Sequence, residues 1–215
     1  MPIIKPIDAI STLIKLRNPD KVMMLGDHCL YLQAIPPSVL GLGVDPWPLL
    51  KLEKLPPNLK VYPVTSDYFF HSPYMTHDLS LDMVVLTGYR KFEQLLRDIV
   101  FSEKLCKNTS MIVVHGTAPH NENEASRNTQ PQGQVHVGDG FKCLAALKKY
   151  RPDLKLSTCT DVGAGLTIIE NLDETNHVIQ NTMVHVVTEL INQKLEERDA
   201  STDMTFDAFL KSHQN

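Results

Sequence analysis

The sequence lacks any apolar run long enough to cross a membrane. A membrane-spanning helix needs roughly 20 apolar residues, and no run in this 215-residue chain approaches that length, although 42% of the residues are hydrophobic. The N-terminus carries Pro2, Pro6 and Asp8 where an export signal has a basic start and an unbroken apolar core. We therefore expect a cytoplasmic protein with no membrane partner.

Paired cysteines and basic tracts are also missing. The four cysteines are widely separated, with no C-x-x-C pair and no zinc-type spacing, which favours reduced thiols. The formal net charge is -4, and the lysines and arginines are not concentrated in one tract. A nucleic-acid surface needs such a concentration of positive charge, so we expect no nucleic-acid partner.

Glycine is scarce where a nucleotide-binding turn would have it. Residues 21–46 read as an apolar run ending at Gly26 and Asp27, a short helical interval, and a second apolar run ending at Asp45. A strand, a turn, a helix and a second strand with an acid at its end build a nucleotide crevice. The motif G-x-G-x-x-G is absent from the turn, which disfavours a dinucleotide-dependent oxidoreductase.

What the sequence does contain is an alternation of short apolar segments with amphipathic ones. The apolar segments predict strands at 21–26, 39–45, 59–64, 81–86, 111–115, 155–160 and 165–170. The amphipathic segments predict helices at 7–16, 28–35, 89–101, 138–150 and 174–198, with a short helix beginning after Thr65 or Ser66. This order predicts an α/β fold with a Rossmann-like, doubly wound, mostly parallel sheet and an antiparallel edge pair.

The domain prediction is a single α/β domain over residues 1–200, with 201–215 as a tail or a short helix. The helix predicted at 174–198 is the longest, and Val178 and Val186 belong to its apolar stripe. That stripe either packs on the sheet of its own chain or forms a homodimer, and the sequence leaves both alternatives open.

Several blocks, in chain order, resemble class I S-adenosylmethionine-dependent methyltransferases, in particular the small-domain group associated with glycan biosynthesis. The blocks are GVDP, VTSDYFF, GYRKFEQLLRD, VVHGTAP, DGFKCLAALKKYRPDLKLST and DVGAGLTII. They extend from about residue 21 to about residue 170, and their common order and spacing carry the resemblance.

The resemblance implies a transferase that moves the methyl group of S-adenosylmethionine to a small hydroxyl-bearing acceptor, a sugar or another metabolite. It implies that Asp45 binds the ribose and that Asp67 lies on the adenine side. His115, an imidazole at a strand end, is the candidate base for the acceptor hydroxyl; the alternative is a packed histidine that bonds the following loop. No metal site is predicted. The residues expected to bind the cofactor lie at strand ends: Gly26, Asp27, Asp45, Asp67, Thr87 and Gly88.

Three strand ends depart from the pattern of this family, so its motifs look degenerate. The first turn has His28 and Cys29 where the family has small residues, and Thr87 and Gly116 stand where the family has acids. These departures leave a second alternative: a catalytically inactive protein of the same fold that acts as a binding or assembly module.

Residues 116–137 form a polar segment with almost no apolar period, and we expect it to cover the acceptor as a loop. Its His120, Glu122 and Glu124 offer acid–base or metal groups, but their spacing matches no fixed metal geometry and favours a solvated loop. Arg90 and Lys91 near the crevice attract an anionic substrate or form a solvated helix face, and the solvated face is favoured.

Overall fold

The protein is an α/β structure with one eight-stranded sheet. The computed structural model describes residues 3–72, 79–87, 91–128 and 136–214. The strands are β1 Lys21–Leu25, β2 Leu40–Val44, β3 Leu59–Tyr62, β4 Leu81–Leu86, β5 Cys106–His115, β6 Lys155–Cys159, β7 Leu166–Glu170 and β8 Asp203–Met204. The helices are α1 Pro6–Arg17, α2 Ser66–Phe70, α3 Phe92–Glu103, α4 Lys142–Tyr150, α5 Val178–Leu190 and α6 Phe206–Ser212.

The strands lie in the order β3-β2-β1-β4-β5-β7-β6-β8. β1 to β5 are parallel to one another, whereas β7 is antiparallel to both β5 and β6. The expected mostly parallel sheet with an antiparallel pair near its edge is therefore confirmed. The chain continues from β1 to one side and returns to the other side at β4, which makes the gap between these strands the topological switch point where such sheets bind ligands.

Both faces of the sheet are covered by helices. One core contains Met23, Phe69, Phe92 and Ile112 and is closed by α2, α3, α4 and α5. The other core, which includes Phe209, is closed by α1, the 3-10 segment Asp27–Ala34 and α6. Burial on two faces explains why the parallel strands read as continuous apolar runs in the sequence.

Several boundaries differ from those predicted. The longest helix is α5, but it covers Val178–Leu190 rather than 174–198, and Val178 is 45% exposed although we expected it to be buried. At the start of the helix the side chain of Asn176 accepts a hydrogen bond from the Val178 N–H, 3.1 Å away. The first crossover, predicted as a helix, is a 3-10 segment interrupted by left-handed residues.

The C-terminal residues join the same sheet and core. β8 pairs with β6, and α6 is the short helix that was one of the two alternatives for this region. Phe206 and Phe209 of α6 are 4% and 0% exposed. Among the described residues, no helix is long and apolar enough to span a membrane.

Candidate functional site

A cavity of about 620 Å³ lies at the carboxyl ends of β1, β2 and β3, beside the switch point. This volume falls within the range of about 300–1,000 Å³ that is typical of small-molecule sites. Its wall is built from the turns after these strands, one side of α3, and the ends of the polar segment that precedes α4. The lining residues used below are 26–28, 45–47, 65–67, Lys91, Gln94, Asp98, Arg127 and His136.

The turn after β1 has an unusual backbone. Gly26 has φ 90° and ψ -164°, a region open essentially to glycine alone. Asp27, His28 and Cys29 follow with φ of 45°, 54° and 61°, and each such non-glycine residue costs roughly 1–2 kcal/mol relative to ordinary backbone. The turn therefore forms with one glycine, where the sequence resemblance predicts several, because the surrounding contacts hold the other three residues in left-handed conformations.

Two glycines of β2 make room for this turn. A Cβ atom on Gly43 would lie 2.8 Å from Cys29 Sγ and 2.7 Å from Leu32 Cδ1, and one on Gly41 would meet Ile35 at 2.7 Å. The crossover segment can therefore approach β2 closely only because both positions lack a side chain. Sequence reasoning missed this role, although two glycines within a five-residue strand are the signal of a close approach.

Asp45 fastens the first turn to the second. Its carboxylate is 7% exposed, and its Oδ2 accepts a hydrogen bond from the His28 N–H at 3.0 Å while Oδ1 accepts from the Trp47 N–H at 2.7 Å. The His28 ring donates from Nδ1 to the Trp47 carbonyl oxygen at 2.7 Å, since a carbonyl only accepts. Each carboxylate oxygen has a second acceptor position, so Asp45 can still bind hydroxyl groups in the cavity.

Asp67 lies on the cavity wall in the first turn of α2. The Thr65 hydroxyl caps this helix by accepting from the Tyr68 N–H at 3.2 Å. The Asp67 carboxylate forms an ion pair with Arg97, with Nε and Oδ1 3.4 Å apart, and it is about half exposed. The structure thus brings Gly26, Asp27, Asp45 and Asp67 of the predicted set to one cavity.

Asp98 is a cavity residue to which no sequence motif assigns a role. It is 8% exposed, and its Oδ1 accepts from Gln94 Nε2 at 3.1 Å. The pKa of Asp98 is raised to about 7, mainly by burial and in smaller part by the Asp67 charge, although hydrogen bonds from Ser66 and Gln94 and the charge of Arg97 lower it. The sequence carried no sign of this, because α2 covers that side of α3 only in the tertiary structure.

The polar segment before α4 is tied to the helices by ion pairs. The Arg127 guanidinium donates to both oxygens of Glu93, at 2.7 and 3.0 Å, and to Asp139 Oδ2 at 2.6 Å. Asp139 is 2% exposed; it also binds Lys142 Nζ at 2.9 Å and accepts from the Phe92 N–H at 2.9 Å. The hydrogen bonds from Arg127 lower the pKa of Glu93, in spite of its partial burial.

Other acidic and histidine side chains of this segment serve its own structure. His120 Nδ1 is 2.9 Å from Glu124 Oε2, and Glu122 Oε1 accepts from the Leu195 N–H at 3.2 Å. Within residues 3–72, 79–87, 91–128 and 136–214, no group of three or more His, Cys, Asp and Glu side chains lies close enough together to hold a metal ion.

Two predicted residues are not among the described residues that line the cavity, and a third lies outside the described ranges. His115 is 8% exposed, and its Nε2 lies 2.9 Å from where a Cβ of Gly163 would stand, beside Pro6. Thr87 is 1% exposed and donates from Oγ1 to the Leu25 carbonyl at 3.1 Å, joining β4 to β1. Gly88 and Arg90 belong to the segment that the structure does not describe.

The cysteines are buried, and their thiols have low reactivity. All four are free thiols, and burial raises the pKa of Cys29 to about 12, with the charge of Asp45 adding to the effect. A thiol that stays protonated at neutral pH is a poor nucleophile. The neighbouring His28 and Cys29 therefore form no reactive pair.

Several solved structures similar to this fold are O-methyltransferases. No protein-family model and no curated protein matches the sequence. The O-methyltransferase TomG from Streptomyces achromogenes, involved in tomaymycin synthesis and solved in complex with SAM, matches 78% of this chain and 79% of its own, with a TM-score of 0.57 and 14% identity.

Two further structures agree. The O-methyltransferase from Bacillus cereus in complex with SAH matches 76% of this chain and 80% of its own, with a TM-score of 0.54 and 12% identity. The SAH-bound Podospora anserina methyltransferase PaMTH1 matches 76% of each chain, with a TM-score of 0.55 and 10% identity. At these identities the likeness establishes a shared fold.

Proposed function

We propose that this chain is an S-adenosylmethionine-dependent methyltransferase whose cofactor binds in the cavity at the ends of β1, β2 and β3. The observation that carries the proposal is the position of Asp45: a nearly buried carboxylate at the end of β2, on the wall of a cavity beside the switch point. Solved structures of the same fold in complex with SAM or SAH support the assignment.

The residues around the cavity fit this cofactor. Its ribose offers two hydroxyl donors, and Asp45 keeps acceptor positions for them. Its amino-acid end carries one positive and one negative charge beside a positive sulfonium, and the cavity wall carries both the acid Asp27 and the cations Lys91 and Arg127. We assign the amino-acid end to the turn at Gly26 and Asp27, the ribose to Asp45 and the adenine side to Asp67.

When bound, the cofactor supplies an activated methyl group on its sulfonium sulfur. The acceptor hydroxyl oxygen forms a bond to the methyl carbon as the carbon–sulfur bond breaks and its electron pair moves to sulfur, and the hydroxyl proton passes to a base or to water. The protein contributes mainly orientation of the two reactants, which can supply about 7–11 kcal/mol of the barrier. The roles of His115 as the base and of Thr87 and Gly88 beside the cofactor stay predictions.

We propose a small hydroxyl-bearing metabolite, such as a sugar of the kind handled in glycan biosynthesis, as the acceptor. The segment that contains Arg127 and His136 borders the cavity and is our candidate for the acceptor side. The inactive binding module remains the competing hypothesis, and cofactor binding separates the two.

The test is calorimetric titration with S-adenosylmethionine and S-adenosylhomocysteine. We expect binding to the wild-type chain, and we expect Asp45→Ala to weaken it by about 1–3 kcal/mol, the scale for a hydrogen bond to a charged group. The matched control is Asp207→Ala, since Asp207 is 70% exposed on α6 and pairs only with Lys211 among the described residues.

Two results would contradict the proposal at different points. Absence of heat and of a thermal shift at millimolar ligand would exclude the enzyme hypothesis and favour the binding module. Unchanged affinity in Asp45→Ala would leave the enzyme hypothesis standing but would show that the cofactor does not use this carboxylate.

A further inference from the structure

The carboxyl group of Asp98 is a cavity group that the proposed function does not use. It lies on α3, one turn after Gln94, and it lines the cavity together with Ser66 and Asp67 at the start of α2. Asp67 is the residue that we assign to the adenine side. Asp98 therefore lies at the same end of the cavity, deeper between α2 and α3.

The surroundings of Asp98 favour the protonated carboxyl. It forms no ion pair among the described residues, because the Arg97 guanidinium pairs with Asp67 and donates to the side-chain Oε1 of Gln94, 2.6 Å away. A carboxyl group withdrawn from water without a cation prefers its neutral form. The carboxyl group accepts hydrogen bonds from Ser66 and, at Oδ1, from Gln94, and each carboxyl oxygen has a second position, so the proton takes a position that neither donor occupies.

A neutral carboxyl presents a donor and an acceptor side by side. The N1–N6 edge of adenine presents the complementary pair, because N1 only accepts and the N6 amino group donates. An ionised carboxylate offers two acceptors and leaves N1 facing a negative charge. The two protonation states of Asp98 therefore differ in their fit to adenine.

We propose that protonated Asp98 recognises the N1–N6 edge of the adenine ring, so that the chain binds its cofactor more tightly below neutral pH than above it. The inference rests on the proposed function and adds a specificity residue to it. Asp67 is the more exposed acid at the same end, and it forms an ion pair with Arg97.

The other charged and titratable groups around Asp98 lie on three elements. α2 contributes Asp67, α3 contributes Arg97, and α4 contributes Cys143, whose thiol interacts electrostatically with Asp98. Burial keeps the pKa of Cys143 well above its ordinary value, so this thiol stays neutral. His28 and His136 also line the cavity; because every variant below retains both, comparing variants at one pH removes their contribution.

The test measures S-adenosylhomocysteine affinity at about pH 6 and about pH 8.5 for the wild type, Asp98→Asn and Asp98→Leu. Asp98 has a pKa of about 7, so its protonated fraction falls about thirty-fold between these pH values. Since only the protonated form fits adenine, wild-type affinity should fall by the same factor. Asparagine is nearly isosteric and offers a donor and an acceptor at every pH. Asp98→Asn should therefore keep the acidic-pH affinity and lose the drop, whereas Asp98→Leu should bind weakly at both pH values.

A ligand analogue makes the contact specific. S-adenosylhomocysteine with 1-deazaadenine lacks the N1 acceptor, so the wild type and Asp98→Asn should bind it more weakly than the natural ligand, and Asp98→Leu should bind both equally. A shared pH dependence in the wild type and Asp98→Asn, or equal discrimination by all three chains, would overturn the inference while leaving cofactor binding intact. Failure of the wild type to bind at either pH would overturn the proposed function, and this inference with it.

Discussion

Asp98 is an ionisable residue that is almost fully buried in α3. The free energy of unfolding therefore depends on its protonation state. Its pKa is raised from an ordinary value of 3.8 to about 7 in the folded chain. Between these values the folded state holds a proton that the unfolded state has released. The free energy of unfolding that Asp98 contributes is therefore full at low pH and is lost as the pH rises through about 7.

We predict that Asp98→Asn removes this loss. The difference in unfolding free energy between the variant and the wild type should increase from about pH 4 to about pH 7 by up to about 4 kcal/mol, at 1.36 kcal/mol per pKa unit, and should then level off. Urea denaturation at a series of pH values measures it. A difference that stays constant with pH would show that Asp98 has the same pKa in the folded and the unfolded chain.

His115 offers a contrast at the same scale. We predict that His115→Gln leaves S-adenosylhomocysteine affinity unchanged and lowers the free energy of unfolding by about 1–3 kcal/mol, because the ring is buried beside Gly163 and is not among the described residues that line the cavity. Titration and urea denaturation measure the two effects without knowledge of the acceptor. Unchanged stability, with methyl transfer reduced once an acceptor is found, would instead establish the base role.

Among the elements, the first turn and β2 depend on one another. Gly26 alone has glycine-only backbone angles, and the left-handed residues after it are held by Asp45 and by the space above Gly43. A scarcity of glycine in the turn, which suggested a degenerate site, is offset by glycines in the neighbouring strand. A count of the glycines in the turn alone overlooks the contribution of the glycines in β2.

The segment before α4 and the helix α3 are joined through Arg127. We predict that Arg127→Met lowers the free energy of unfolding by about 2 kcal/mol and speeds amide hydrogen exchange in the described part of the segment, because buried Asp139 loses one of its two cations. Lys148→Met is the matched control, since its partner Asp199 is exposed and such pairs contribute about 0–1 kcal/mol. Equal effects of the two substitutions would show that Arg127 does not hold the segment.

At the scale of the whole molecule, the alternation of apolar and amphipathic segments was sufficient to predict the sheet and its mixed strand directions. The prediction worked because strands buried on both faces must be continuously apolar, and because short connections leave few ways to wind them. It was less accurate at the ends of elements: the start of α5 has a hydrogen bond to the side chain of Asn176, and β8 is a two-residue strand with no apolar period of its own.

By itself the sequence determined the fold class and the carboxyl edge at which Gly26, Asp27, Asp45 and Asp67 meet, since parallel strands place their ends together. Only the tertiary structure decided which polar residues face the cavity. Asp98 reads as a solvated helix residue until α2 covers it, and His115 reads as a cavity residue until the alternation of β5 turns it towards Gly163. Periodicity assigns a residue to a face of its own element, whereas its burial and its pKa depend on the element packed against that face.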